Sequence, residues 1–163
     1  MKWKAGMTRR AWLAAALGLA LIVAGAVVWA GRSSGAADRL GGEPPALTVT
    51  CGGERVSGSV INYSWPTVIA CGPHPLDCLD TAPALERGTE ETVTLSFGVE
   101  PETVTVRGWS CREREDMYIP AEFTAALDER GQLALSDDPE GAIYCVSVRW
   151  DEEHNAEYIF VVR

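Results

Sequence analysis

Apolar and polar residues alternate along the chain from residue 47 to the C-terminus, with the period of two that is typical of half-buried β-strands. Gly, Pro, Asp or Asn residues separate the alternating segments. These segments are ALTVTC (46–51), TVTLSF (92–97), TVTVRG (103–108), EFTAALD (122–128), QLALS (132–136), AIYCVSVRW (142–150) and AEYIFVV (156–162). The pattern predicts an all-β domain over residues 47–163, an immunoglobulin-like or related β-sandwich.

Two short polar segments are predicted to be turns. DERGQ, residues 128–132, predicts a tight hairpin in which Gly131 supplies a positive φ. DEEHNA, residues 151–156, predicts the loop between the last two strands. The large rings of Trp65, Trp109 and Trp150 are expected to supply much of the buried area of a domain this small.

A different pattern occupies the N-terminal end of the chain. Residues 11–30 contain no charge, and at about 1.5 Å per residue a helix of this length matches the hydrocarbon core of a bilayer. The basic segment 1–10 precedes it, which predicts a cytoplasmic N-terminus, a single transmembrane helix and an extracellular C-terminal domain at the cell membrane. The alternative is a cleaved signal peptide with the cut before Gly31. Residues 31–46 predict a flexible linker.

Charge is distributed unevenly along the 163-residue chain, whose net charge is −9. The first 30 residues hold four basic residues and no acid, whereas the rest holds ten Arg against 23 Asp and Glu, a net charge of −13. A domain this acidic is not expected to bind nucleic acid, because phosphate binding requires clustered Lys and Arg. The surface is expected to be solvated and soluble.

The segment CGPHPLDC, residues 71–78, combines residue types that occur in metal and thiol sites. The only other histidine, His154, lies in a predicted loop, and no two cysteines have Cys-x-x-Cys spacing, so no metal site is expected. A nucleophilic Cys oriented by His74 and Asp77 would place the whole site in one short loop, so no catalytic residue is expected either. The chain is therefore predicted to have no enzymatic activity and no cofactor.

The same segment is instead predicted to be a rigid structural turn. Pro73 and Pro75 each restrict φ, while His74 and Asp77 are polar turn residues. His74 is expected to be exposed or hydrogen-bonded to backbone.

The strand pattern also places two cysteines. In AIYCVSVRW, Tyr144 belongs to the apolar stripe, so Cys145 must point to the opposite face. Cys111 likewise lies opposite the apolar residues of its strand. If these two strands are neighbours, Cys111 and Cys145 are predicted to form a disulfide, which outside the cytoplasm can persist.

Six short motifs distinguish the chain beyond residue 50: CGG (51–53), YSW (63–65), HPLDC (74–78), TAPAL (81–85), VTVRGW (104–109) and GAIYCVSVRW (141–150). With these motifs the chain resembles a family of small, uncharacterised extracytoplasmic proteins of Firmicutes that are held to the membrane by a lipid or a single span. The resemblance implies an extracytoplasmic localisation and a shared fold, but the family has no assigned activity. It also implies a disulfide between Cys51 and Cys78, since these two positions tend to occur together in that family. Together with the predicted bridge between Cys111 and Cys145, this leaves Cys71 as the single candidate free thiol.

The function expected from these features is a membrane-tethered binding, sensing or accessory module without catalytic activity. Exposed loops on a strand-built scaffold suit that role. Its partner is expected to be an outer-face protein, a peptide or a component of the cell envelope. The alternative is a thiol-dependent redox or crosslinking protein that uses its unpaired cysteine.

Overall fold

The alternating segments form β-strands in the computed structural model, which describes residues 39–111 and 122–163. These residues belong to one compact unit, Arg39–Arg163. Eleven strands and one short 3-10 helix are described: β1 (Leu47–Cys51), β2 (Glu54–Ser57), β3 (Ser59–Trp65), β4 (Val68–Ala70), η1 (Pro75–Cys78), β5 (Ala84–Leu85), β6 (Thr92–Phe97), β7 (Thr103–Ser110), β8 (Phe123–Ala125), β9 (Gln132–Ala134), β10 (Ala142–Arg149) and β11 (Asn155–Val162).

The predicted anchor at 11–30 and most of the predicted linker at 31–46 lie outside the described residues. Within the described ranges, no helix combines the length and the apolar character needed to cross a membrane.

The strands are arranged in two sheets. Sheet A has the order β2-β1-β6-β9, and sheet B has the order β4-β3-β11-β10-β7-β8. Neighbouring strands within these orders are antiparallel, and the two-residue strand β5 pairs in parallel with the C-terminal end of β11. The all-β prediction is therefore confirmed, and the two sheets are consistent with a β-sandwich.

The main core is formed by the apolar stripes that the alternation predicted. Val49 and Leu95 come from sheet A, and Tyr144 and Phe160 come from neighbouring strands of sheet B, where their rings stack with centroids 5.2 Å apart. Trp65 and Trp150 are buried at one end of this cluster in an edge-to-face pair, with centroids 5.7 Å apart. Aromatic rings in these geometries contribute specific attraction in addition to the apolar area they bury.

The turn around Gly131 forms as predicted but connects the two sheets. Gly131 has a φ of 75°, and the backbone N–H of Asp128 donates to the carbonyl of Gln132 across the turn. The preceding strand β8 pairs with β7 in sheet B, whereas the following strand β9 pairs with β6 in sheet A. The chain thus passes from one sheet to the other through this turn.

The edge of sheet B was not predicted from the pattern. β3 has no clean alternation because its pairing with β11 shifts register between Glu157 and Tyr158, as at a β-bulge. β4 is three residues long and largely exposed, so no apolar stripe marks it.

Candidate functional site

The outer face of sheet B, which points away from sheet A, has an apolar half and a polar half. Ile143, Cys145, Ile159 and Val161 form the apolar half on the central strands β10 and β11. Leu76, Cys78, Leu79 and Ala82, from η1 and the residues that follow it, pack onto these side chains. The cover is needed because so many apolar side chains on one sheet face would otherwise be left in water.

The polar half is an open groove with a volume of roughly 680 Å³. Its floor comes from four adjacent strands, β3, β11, β10 and β7, and the short edge strand β4 forms one wall. The lining residues are Asn62, Tyr63, Ser64, Ile69, Ala70, Cys71, Thr103, Thr105, Ser147, Val148, Arg149, Asn155, Ala156 and Glu157. Hydroxyl, amide, carboxylate and guanidinium groups are all present, so the groove offers both donors and acceptors.

Glu157 is the centre of the hydrogen-bond network in this groove. Its Oε1 accepts hydrogen bonds from Ser147 Oγ at 3.0 Å and from an Arg107 guanidinium nitrogen at 3.1 Å. Its Oε2 accepts from Asn62 Nδ2 at 2.5 Å. The side-chain Oδ1 of Asn62 in turn accepts from the backbone N–H of Gly72 at 2.7 Å. One carboxylate therefore connects side chains of four strands and, through Asn62, the segment after β4.

Arg107 lies at the boundary between the two halves. Besides Glu157, its guanidinium approaches the Glu122 carboxylate at 3.5 Å and lies 5.6 Å from the ring centroid of Trp109. Trp109 belongs to the apolar cluster, so Arg107 covers its ring while keeping its charge at the groove. At the rim, Arg149 pairs with Glu102 at 3.6 Å, but both side chains are more than half exposed. This rim pair is expected to contribute little to stability.

The cysteines lie in three different environments, and all five are free thiols. Cys51 belongs to the core between the sheets, whereas Cys78 belongs to the cluster on the outer face of sheet B. A sheet separates these two clusters, so the bridge implied by the family resemblance is not formed in the structure. Cys71 is exposed and lines the groove.

The expected bridge between Cys111 and Cys145 is not formed either. Their strands, β7 and β10, are neighbours, and Tyr144 and Cys145 point to opposite faces, as the pattern predicted. However, the register pairs Cys145 with Arg107, while the backbone N–H of Cys111 bonds to Gly141. Cys111 lies four residues after Arg107, the residue opposite Cys145, and four residues span about 13 Å along a strand. A disulfide needs Cα atoms about 4.4 to 6.8 Å apart.

Cys145 is buried, although it lies on the face of sheet B that points away from sheet A. Residues of η1 cover it, and burial raises the pKa of Cys145 to about 11. Burial is likewise the main cause that raises the pKa values of Cys51, Cys78 and Cys111. Thiols of this kind stay protonated at neutral pH and are poor nucleophiles.

The segment CGPHPLDC ends in the 3-10 helix η1. His74 precedes the helix, and its Nδ1 accepts a hydrogen bond from the backbone N–H of Leu76 at 3.3 Å. Its ring packs edge-to-face on Trp109, with centroids 5.4 Å apart, and its carbonyl accepts from the Asp77 backbone N–H. His74 thus caps the segment that covers the apolar half. No group of His, Cys, Asp or Glu in the described ranges has the arrangement of a metal site.

The other histidine stabilises the loop between β10 and β11. His154 Nδ1 lies 2.7 Å from Asp151 Oδ1, and the backbone N–H groups of Glu153 and His154 donate to the same oxygen. Burial raises the pKa of Asp151, but these hydrogen bonds outweigh burial and leave that pKa below its ordinary value. All three contacts lie within the loop, so the Asp151 carboxylate stabilises the loop that contains it.

The groove residues were not singled out from the sequence, although a signal for them exists. Thr105 and Arg107 in β7, and Ser147 and Arg149 in β10, occupy the polar positions that alternate with the core stripe. From the sequence alone, residues at such positions are indistinguishable from ordinary solvated surface residues. Only the register of four strands brings them together with Glu157. Comparison of the chain with protein-family models, curated proteins and solved structures found no match.

Proposed function

We propose that the β-domain is a binding module without catalytic activity, and that it takes its ligand in the groove on the outer face of sheet B. The groove itself is the observation that carries this proposal: an open concavity of roughly 680 Å³ on the outer face of sheet B, next to a covered apolar half. Pockets lined by a few well-placed polar groups are the usual location of binding sites.

The network around Glu157 supports binding because it fixes the floor before a ligand arrives. Arg107, Ser147 and Asn62 are each held by the same carboxylate, so little side-chain entropy remains to be lost. The exposed hydroxyls of Thr103 and Thr105 add adaptable donors and acceptors. A polar ligand with some apolar surface, such as a peptide or an envelope glycan, matches this chemistry.

The remaining features of the proposal rest on the sequence. An N-terminal span at 11–30 would hold the domain outside the cell membrane, where the groove faces an outer-face protein or an envelope component. An immunoglobulin-like arrangement of the two sheets, and membership of the tethered extracytoplasmic proteins that the motifs resemble, are proposed on the same basis.

A photo-crosslinking experiment on the full chain in intact cells tests the groove directly. A photoreactive amino acid replaces Thr105 in the groove or, as the matched control, Ser96 on the exposed outer face of sheet A. The expected result is a discrete adduct from position 105 that is lost when Ser147→Trp fills the groove, and none from position 96. Equal labelling at both positions, or an adduct that survives Ser147→Trp, contradicts the proposal.

One observation favours the second candidate, a thiol-dependent protein: Cys71 is exposed and lines the groove wall. The other four thiols have raised pKa values because of burial. If the function is thiol–disulfide exchange at Cys71, rapid acid quenching of intact cells should trap a mixed disulfide between this protein and its partner. Cys71→Ser should then abolish that mixed disulfide. If the groove binds non-covalently, the adduct from position 105 persists in Cys71→Ser.

A further inference from the structure

We propose that the open edge of β4 binds an extended peptide as an added β-strand, with side chains of that peptide entering the adjoining groove. This inference rests on the proposed binding function and names the chemical class of its ligand. Strand addition obtains affinity from backbone hydrogen bonds and specificity from the side chains that alternate along the peptide.

The edge hairpin formed by β3 and β4 carries the exposed apolar surface of the domain. In the described part of the chain, three large apolar side chains are exposed, and all three are in this hairpin: Val60 at 41%, Val68 at 44% and Ile69 at 76%. From Val56 to Leu76 the sequence contains no Asp, Glu, Lys or Arg. Sheet edges are normally protected by charges, so an uncharged apolar edge indicates a surface that is covered by a partner.

The register of the hairpin shows which backbone groups face this edge. Trp65 and Val68 flank the two-residue turn at 66–67, so they form a hydrogen-bonded pair. Pairs alternate along an antiparallel ladder, so the next pair, Ser64 with Ile69, is not hydrogen-bonded. The N–H and C=O groups of Ile69 therefore point away from β3. Among the described strands, β3 is the one neighbour of β4.

The usable edge continues beyond the end of β4. A Cβ atom added to Gly72 would lie 2.3 Å from the carbonyl oxygen of Ile61, so the backbone at Gly72 is still in close contact with β3. The hydrogen bond from Gly72 N–H to Asn62 holds it there. Cys71 is two positions after Ile69, so in an extended chain its backbone groups face the same side. Ile69 and Cys71 together offer two donors and two acceptors to an incoming strand.

The groove determines what the side chains of such a peptide can be. Ile69 is opposite Ser64 and shares its face of the sheet, and both line the groove. A strand added beside β4 would place every second side chain on this face, next to Ile69. An apolar side chain at that position would cover an isoleucine that is otherwise mostly in water.

Charge favours a foreign peptide over a second copy of this chain. Residues 31–163 carry a net charge of −13, so edge-to-edge pairing of two copies would bring two strongly acidic domains together. A peptide with Lys or Arg flanking its apolar residue would instead be attracted to the domain. The predicted ligand is thus an extended, basic peptide with alternating apolar side chains.

Selection from a displayed library of random linear peptides, with the full chain in detergent as bait, tests this inference. Enriched peptides are expected to alternate apolar and other residues and to carry net positive charge. Synthetic copies are then made with and without N-methylation of the backbone amides. N-methylation is expected to weaken binding about fivefold or more for each pairing amide, because each loses a backbone hydrogen bond.

Two proline variants provide the matched pair on the protein. Ile69→Pro removes an N–H that faces the open edge, so the fold should tolerate it while peptide binding falls about fivefold or more. Ala70→Pro removes an N–H that pairs with Tyr63, so it should lower the melting temperature. Equal melting temperatures for the two variants would overturn the assigned register.

The remaining outcomes separate this inference from the proposed function. Failure to enrich peptides, or binding unaffected by both N-methylation and Ile69→Pro, overturns strand addition. A dimer in sedimentation experiments that Ile69→Pro abolishes would overturn it in favour of a second copy. In each of these cases a groove-specific adduct from position 105 would leave the proposed function standing, whereas loss of that adduct removes the proposed function itself.

Discussion

Replacing Glu157 with Ala is expected to destabilise the domain more than any other single change in the groove. The carboxylate accepts hydrogen bonds from Ser147, Arg107 and Asn62, and of these three donors Arg107 also has an ion pair with Glu122. Truncation leaves all three donors on a surface only partly open to water, since the Glu157 side chain is 29% exposed.

The size of the effect follows from these contacts. A typical intramolecular hydrogen bond contributes about 0.5–1.5 kcal/mol net, which gives roughly 1.5–4.5 kcal/mol for three. Water can replace part of this at a half-open site, and exposed ion pairs are screened, so about 2 kcal/mol is expected. For a domain of this size that loss lowers the melting temperature by about 5–10 °C.

Thermal and urea unfolding of the full chain, followed by circular dichroism, provide the measurement. Glu102→Ala is the matched control, because it removes a carboxylate from an ion pair with Arg149 in which Glu102 is 56% exposed. It should cost less than about 0.5 kcal/mol. Glu157→Gln keeps an acceptor of the same shape and should fall between the two. If Glu157→Ala is no more destabilising than Glu102→Ala, the network does not hold the groove together and the reasoning is refuted.

Three further predictions concern the core and its turns. Tyr158→Phe removes the hydrogen bond from a buried hydroxyl to the Pro45 carbonyl, 2.5 Å away, and should cost about 1–2 kcal/mol in urea unfolding; an unchanged midpoint would contradict it. Gly141→Ala should destabilise strongly in thermal melts, because Gly141 has a φ of 83° and a Cβ there would lie 2.1 Å from the Val162 carbonyl oxygen; a wild-type melting temperature would exclude that backbone geometry. The buried Cys145 thiol, whose pKa burial raises to about 11, ionises more easily in the unfolded chain, so its contribution to stability is complete below about pH 9 and is lost as the pH rises towards 11. Cys145→Ala should flatten this alkaline loss in a pH series of urea midpoints, and an identical pH profile would show that Cys145 does not cause it.

The sequence predicted the strands whose two faces differ strongly. In β1 and β6 core residues alternate with others at a period of two, and in β10 Ser147 and Arg149 mark the outer face, so the inner face could be assigned; β11 was instead recognised as a near-continuous apolar run. The opposite orientations of Tyr144 and Cys145 followed from the same rule and are confirmed. The short strands β4 and β5 were not predicted, because two or three residues cannot display a period.

The cysteine pairs could not be predicted, because distance in a sheet depends on register rather than on strand order. β7 and β10 are neighbours, yet Cys145 is opposite Arg107 and not Cys111. Likewise, the sequence does not show that η1 folds back over sheet B and buries Cys78 on its outer face.

The sequence by itself determined the all-β character of the described residues, 47–111 and 122–163, and the side chains of the main core, because alternation is a local property of a strand. Only the tertiary structure decided that polar residues from four strands meet at Glu157, that η1 covers half of one sheet face, and that β4 leaves an apolar edge open. The physical reason is that the groove and the edge depend on strand order and register, which are set by contacts between residues far apart in the chain.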